Sequence, residues 1–121
     1  MVLRMKPNPV KDKSYAFSLK VIKLGREVQT KHKEYVLSRQ VVRSGTSIGA
    51  NIEEATAGLT KKDFTARMGI ASKEARETRY WLRLLRDSGY VVESESRLLM
   101  DDCDELIKLL TAIVKSSQGE A

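Results

Sequence analysis

Residues 37–64 read LSRQVVRSGTSIGANIEEATAGLTKKDF, and the fold follows from how this stretch alternates. Leu37, Val41, Gly45, Ile48, Ile52 and Ala55 recur at steps of three and four, which lines one face of an α-helix. Gly58 then breaks the pattern, and Thr60 with Asp63 three residues later forms a variant of the capping box that opens a further helix. The middle of the first helix, Ser44 to Gly49, is poor in helix formers, and each glycine there costs about 1 kcal/mol relative to Ala. Gly45 and Gly49 lie one turn apart. A neighbouring helix approaching too closely for a Cβ is the expected compensation, so both glycines should be buried.

Working downstream, Phe64, Met68, Ala71, Ala75, Thr78, Leu82 and Leu85 repeat at heptad-like spacing as far as Ser88, where Gly89 supplies a left-handed stop. Ser94 reads as the N-cap of a fourth helix fading at Ser116. Leu99, Cys103, Leu106, Leu110 and Ile113 form its core face, and Asp101, Asp102, Asp104 and Glu105 lie in its earlier half. Upstream, Phe17, Val21, Leu24 and Val28 predict a helix over 14–29, followed by the polar break Thr30 to Lys33 and a second helix over 34–57. Residues 1–13, with Pro7, Pro9 and no apolar period, read as a flexible basic tail, 14–117 as one domain and 118–121 as a C-terminal tail. Short connections make successive helices antiparallel, so the expected fold is an all-α, up-down-up-down four-helix bundle.

A length of 121 residues suits one domain with a core of its own, and the 41 % hydrophobic, 31 % charged composition is globular. A lone Cys103 cannot close an internal disulfide and no apolar leader is seen, which points to the cytoplasm. Apolar runs such as 106–114 are too short to cross a bilayer, so no membrane partner is expected. His32 and Cys103 are each alone, so neither a zinc set nor a Cys-His pair can be assembled within one chain. Glu53 and Glu54 are adjacent and project about 100° apart on a helix, which is no acid/base pair. The expectation is a protein that is not an enzyme, with no cofactor, metal or small-molecule substrate.

Charge is the more informative quantity. Half of the 22 Lys and Arg fall within residues 1–43, where the acids are Asp12, Glu27 and Glu34, and the chain carries +6 overall. Lys20, Lys23, Arg26, Lys31, Lys33 and Arg39 are the candidate nucleic-acid contacts. Only Tyr35 is at hand for stacking, so binding would be directed at the phosphate backbone with little sequence preference. An ordinary solvated basic face is the competing reading. Beside the apolar stripe of the second helix runs a polar one: Gln40, Ser44, Ser47, Asn51 and Glu54, with Arg43 close by. It reads either as a ligand or RNA surface or as a hydrogen-bonded network fixing helix register or a subunit interface, and the network is favoured. Arg76, Arg79, Arg83 and Arg86 form a ridge on the third helix that would contact phosphate, or pair with the acids of the fourth or with a neighbouring subunit. Asp87 within that arc tilts the reading toward pairing. Met100, Ile107 and Val114, with Trp81 and Leu84, widen the apolar arc beyond one seam, which suggests a homo-oligomer.

Gln40 to Phe64 also resembles the hallmark of the four-helix-bundle family named for proteins encoded in intervening sequences of bacterial 23S ribosomal RNA. That family resemblance takes in the accessory proteins of diversity-generating retroelements. Gln40, Arg43, Ser44, Ser47, Ile48, Ala50, Asn51, Ile52, Glu54, Lys62, Asp63 and Phe64 match its pattern, and Thr60 stands for its Ser. Ile70 to Ala75, Leu82 and the Gly89-Tyr90 turn extend the resemblance over about residues 14–115. Ala55 and Ala57 depart from it where the family has Gly, and Gly58 where it has Arg. The resemblance implies a homopentamer of four-helix bundles, associated with RNA or the ribosome and without catalytic residues. The leading reading is therefore a non-enzymatic RNA-associated accessory protein. Its rival is an oligomeric structural or interaction scaffold whose charges serve solubility.

Overall fold

The computed structural model describes residues 8–58 and 60–119. Four helices fill it, α1 (Pro9–His32), α2 (Val36–Thr56), α3 (Lys61–Asp87) and α4 (Glu93–Ser117), with no strand among the described residues.

The first helix begins five residues before the expected Ser14, which corrects the extent of the basic tail. The Asn8 side chain accepts the Lys11 N–H at 3.2 Å and Pro9 occupies N1, where its fixed φ suits a helix and its missing N–H costs nothing. Val10 is buried and Lys11 pairs with Glu53 at 3.5 Å, so this added turn is held by the bundle itself. Residues 1–7 of the expected tail lie outside the described residues. At the other end α1 runs three residues past Gln29 and closes on Lys33, left-handed at φ 54, whose N–H reaches the Gln29 carbonyl at 3.1 Å.

Glu34 precedes α2 and does not belong to it. Its carboxylate accepts the N–H groups of Val36, Leu37 and Ser38 at 2.9 to 3.0 Å, satisfying donors that a helix start leaves orphaned. The helix ends at Thr56, so Gly58 adds a turn bond to Ala55 and needs no left-handed backbone. Thr60 accepts the Asp63 N–H at 3.0 Å to open α3, as its spacing predicts. Gly89, at φ 82, closes that helix. Its N–H bonds Arg86 O at 3.1 Å and the Tyr90 N–H bonds Leu85 O at 2.9 Å, the Schellman pattern. The expected cap at Ser94 is a correction: α4 starts at Glu93 with Val92 at the cap position. Val91 inserts into the core just upstream and draws the chain in, so the cap and the helix start come two residues early, with Glu93 and Glu95 at the positive end of its dipole.

Helix α1 packs on α2 and α4, α2 on α3, and α3 on α4. Residue order opposes across every seam: Gly45 meets Val21 while Gly49 meets Ser14, Arg43 reaches Glu77 while Arg67 reaches Glu54, and Lys20 pairs with Asp102 while Lys13 pairs with Glu105. Between α3 and α4, Arg79 meets Asp104 and Arg76 meets Thr111. Phe17, Val21, Ile48, Ile52, Met68, Leu82, Leu85, Leu106 and Leu110 are buried at the centre.

Both glycines singled out from the sequence are buried against α1. A Cβ at Gly45 would stand 2.8 Å from Val21 Cγ1, and one at Gly49 would stand 3.4 Å from Ser14 Oγ and 3.5 Å from the Ser14 carbonyl. Val42 fills the space over Gly25 in return. The wide apolar arc of α4 is largely used inside the chain, because Met100 is buried and Ile107, Val114 and Trp81 pack against the core. Leu98 of α4 stays exposed at 70 %, and Tyr15 (63 %), Leu19 (54 %) and Ile22 (37 %) form an exposed stripe at steps of four and three on α1. No described helix is long and apolar enough to cross a membrane.

Candidate nucleic-acid interface

The six cations expected to meet phosphate do not form one surface. Because α1 turns by 100° per residue, Lys20 and Lys23 face its α4 side while Arg26 faces its α2 side. Lys20 donates to Asp102 at 2.8 Å, and with Lys23 it borders an α1–α4 groove that also contains Glu27, Glu95 and Asp102. Three carboxylates in that lining make it a poor seat for a polyanion. Lys31 borders a second groove beside His32, Tyr90, Glu27 and Glu95, where His32 and Tyr90 meet edge to face at 5.4 Å.

Arg26 and Arg39 come together. They share a groove of about 400 Å³ on the α1–α2 side with Ile22, Gly25, Gln29, Val42 and Arg43, and no carboxylate lines it. Among the described residues neither Arg26 nor Arg39 is in an ion pair. Arg39 instead lies over the Tyr35 ring at 5.7 Å, a contact that orients the guanidinium without neutralising it. Lys33, at the left-handed residue between the two helices, is exposed at the same end of the molecule.

The polar stripe of α2 turns inward onto α3. Arg43 donates to Gln40 at 3.1 Å and bridges to Glu74 at 3.5 Å and to Glu77, which in turn accepts the Trp81 indole N–H at 2.9 Å. The Ser44 and Thr78 hydroxyls are bonded at 2.9 Å in the core. Asn51 donates to the Ser47 carbonyl at 2.9 Å and accepts from Arg67 at 3.4 Å, and Arg67 also pairs with Glu54 at 3.1 Å. Every residue of the stripe is thus engaged within the chain, and the partners on α3, Arg67, Glu74 and Thr78, are ones that sequence periodicity did not nominate for this role.

The arginine ridge of α3 divides. Arg79 pairs with Asp104 of α4 at 2.7 Å and Arg86 with its neighbour Asp87 at 2.8 Å, a bond that draws the Asp87 carboxyl below its ordinary range. Arg76 reaches only the Thr111 hydroxyl, at 3.1 Å.

Cys103 is fully buried and donates its S–H to the Ala75 carbonyl at 3.2 Å. Burial, helped by the neighbouring Asp104 charge, pushes the thiol up to about 12. Such a thiol is no nucleophile at neutral pH. Among the described residues no cluster of His, Cys, Asp and Glu could hold a metal ion.

No curated protein shows significant similarity to the chain. A crystal structure of a protein of unknown function from the S23 ribosomal protein family of Bacteroides thetaiotaomicron VPI-5482 superposes with a TM-score of 0.86 at 43 % sequence identity, covering 88 % of this chain and 98 % of that one. The model of the 23S rRNA-intervening sequence protein family matches residues 6–112, most of the chain and all of its first three helices. With four helices in the same arrangement as that relative and the family pattern running through α2 and α3, this chain belongs to the 23S rRNA-intervening sequence protein family.

Proposed function

We propose that the protein is a non-enzymatic, cytoplasmic, RNA-associated accessory protein: an up-down-up-down bundle that assembles into a homopentamer and grips phosphate backbone through the α1–α2 edge. The observation that supports the RNA contact is the convergence of Arg26 and Arg39 on a groove without carboxylates, with Lys33 exposed at the adjoining helix end. Guanidinium groups left without acid partners engage phosphate oxygens with two parallel bonds and release counterions as they do so. The opposed residue order across all four seams supports the up-down path.

Filter binding of single-stranded RNA across a salt series tests the contact. Three engaged cations contribute about −2 to the slope of log affinity against log salt, and the triple variant Arg26→Ala, Lys33→Ala, Arg39→Ala removes that share. Absence of binding at about 50 mM salt, where the electrostatic term is strongest, removes the RNA reading.

The exposed stripe Tyr15, Leu19 and Ile22 favours a second activity of the same surface, contact between copies. Light scattering should give a mass near five times the 13.7 kDa protomer, and Leu19→Asp should lower it.

A further inference from the structure

The glycines of this chain have structural reasons, with one exception. Gly25, Gly45 and Gly49 admit the facing helix, Gly58 lies in the α2–α3 turn, and Gly89 and Gly119 are left-handed at helix ends. Gly69 sits eight residues inside α3, with helical backbone, and a Cβ added there would meet nothing within 4 Å. Glycine is the least favourable residue for a helix interior short of proline, and neither packing nor backbone geometry calls for it at this position.

The surroundings of Gly69 are chemically uniform. It lines an open groove of about 250 Å³ between α3 and α4 with Ser72, Arg76, Thr111, Val114, Lys115 and Gln118. Cations, hydroxyls and an amide lie around it, and no carboxylate does. Arg76 bonds only the Thr111 hydroxyl, and neither it nor Lys115 is in an ion pair among the described residues, although Arg79 and Arg86 of the same helix are. Arg, Lys, Ser, Thr and Gln are the side chains that donate to phosphate oxygens.

We propose that this α3–α4 groove seats the phosphodiester backbone of RNA, with Arg76 and Lys115 as the charged contacts, Ser72 and Gln118 as neutral donors, and Gly69 as the gap into which the sugar-phosphate chain settles. The inference rests on the RNA-associated reading above but assigns a second surface, on the opposite pair of helices from Arg26 and Arg39. A strand following both would wrap the bundle.

The decisive variants separate steric from stability effects. Gly69→Leu has open space around it and a better helix former in place, so it should melt higher than the wild type. In fluorescence anisotropy with a short labelled single-stranded RNA, the same variant should bind several-fold more weakly. Arg76→Ala with Lys115→Ala should reduce the salt slope by about 1.4, the share of two single-strand phosphate contacts. If these variants bind like the wild type while the Arg26/Lys33/Arg39 variant does not, the groove is overturned and the α1–α2 reading stands. If the pattern is reversed, the groove stands and that edge is overturned. Wild-type protein that binds no RNA at low salt overturns both. A Gly69→Leu protein of reduced mass by light scattering and unchanged RNA affinity identifies the groove as a contact between copies and overturns the proposal.

Discussion

At the scale of single residues the sequence identifies chemistry better than neighbours. The place of Cys103 between Leu99 and Leu106 makes it a core position, and it is buried there. Its thiol, held near 12 against an ordinary value of 9.0, has a measurable consequence. The folded state keeps its proton in a range where the unfolded chain gives it up. The contribution is therefore whole below about pH 9 and is lost as pH rises toward 12, with a limiting slope of about 1.4 kcal/mol per pH unit. Urea titrations at pH 8 and pH 10.5 should show a larger alkaline loss for the wild type than for Cys103→Ala. Equal losses would mean that the site is not as dry as its burial indicates. The cations behaved less predictably, because Lys20 and Lys23 resemble Arg26 in sequence but face carboxylates contributed by α4, and a partner about 80 residues away leaves no local signal.

At the scale of elements, periodicity located all four helices, and the errors lie at their ends. The Asn8-Pro9 start of α1 carries a cap signal that two prolines and a basic composition obscured, and Ser94 was an attractive cap that lost to the burial of Val91. In both cases tertiary packing chose the boundary. The glycines of α2 were legible because their intrinsic cost demanded a reason, and the structure grades that reason. Gly45→Ala must displace Val21, a stiff, β-branched, fully buried side chain, and should lower stability by about 1–3 kcal/mol despite its better propensity. Gly49→Ala makes ordinary contact with two serine hydroxyls, so its helix propensity should leave it neutral to about 1 kcal/mol more stable. Gly49→Leu has to place further atoms toward the α1 backbone and should lose about 1–3 kcal/mol. Thermal melts of the three variants check the order, and a Gly45→Ala protein that melts above the wild type would show that α1 can retreat at no cost.

At the scale of the whole molecule, what stayed hidden was the way surfaces combine. Reading charge along the chain gave one basic N-terminal third, whereas the fold distributes those cations over grooves with different partners and brings Arg76 beside Lys115 from separate helices. The apolar arc expected of Met100, Ile107 and Val114 on α4 packs inside the bundle, while Leu98 of the same helix and the α1 stripe Tyr15, Leu19 and Ile22, which periodicity gives no role, are exposed. Helical periodicity tells which residues share a face; it does not tell which helix lies beside that face.

The seam between α1 and α4 is the thinnest of the four and is closed at its rim by Lys13–Glu105 and Lys20–Asp102. It is also the only one that joins helices not adjacent along the chain. Contacts between helices adjacent in sequence dominate, which predicts rapid folding, and the two ends of the chain are expected to meet after the rate-limiting barrier. Chevron plots should separate the two kinds of contact. Ser44→Ala, which removes a buried α2–α3 bond, should mainly slow refolding, while Leu99→Ala on the closing seam should leave refolding nearly unchanged and accelerate unfolding. With that outcome, the lifetime of the native state would be governed by the last contact made, and the modest α1–α4 closure would set how long each molecule stays folded while contributing little to how quickly the fold is found.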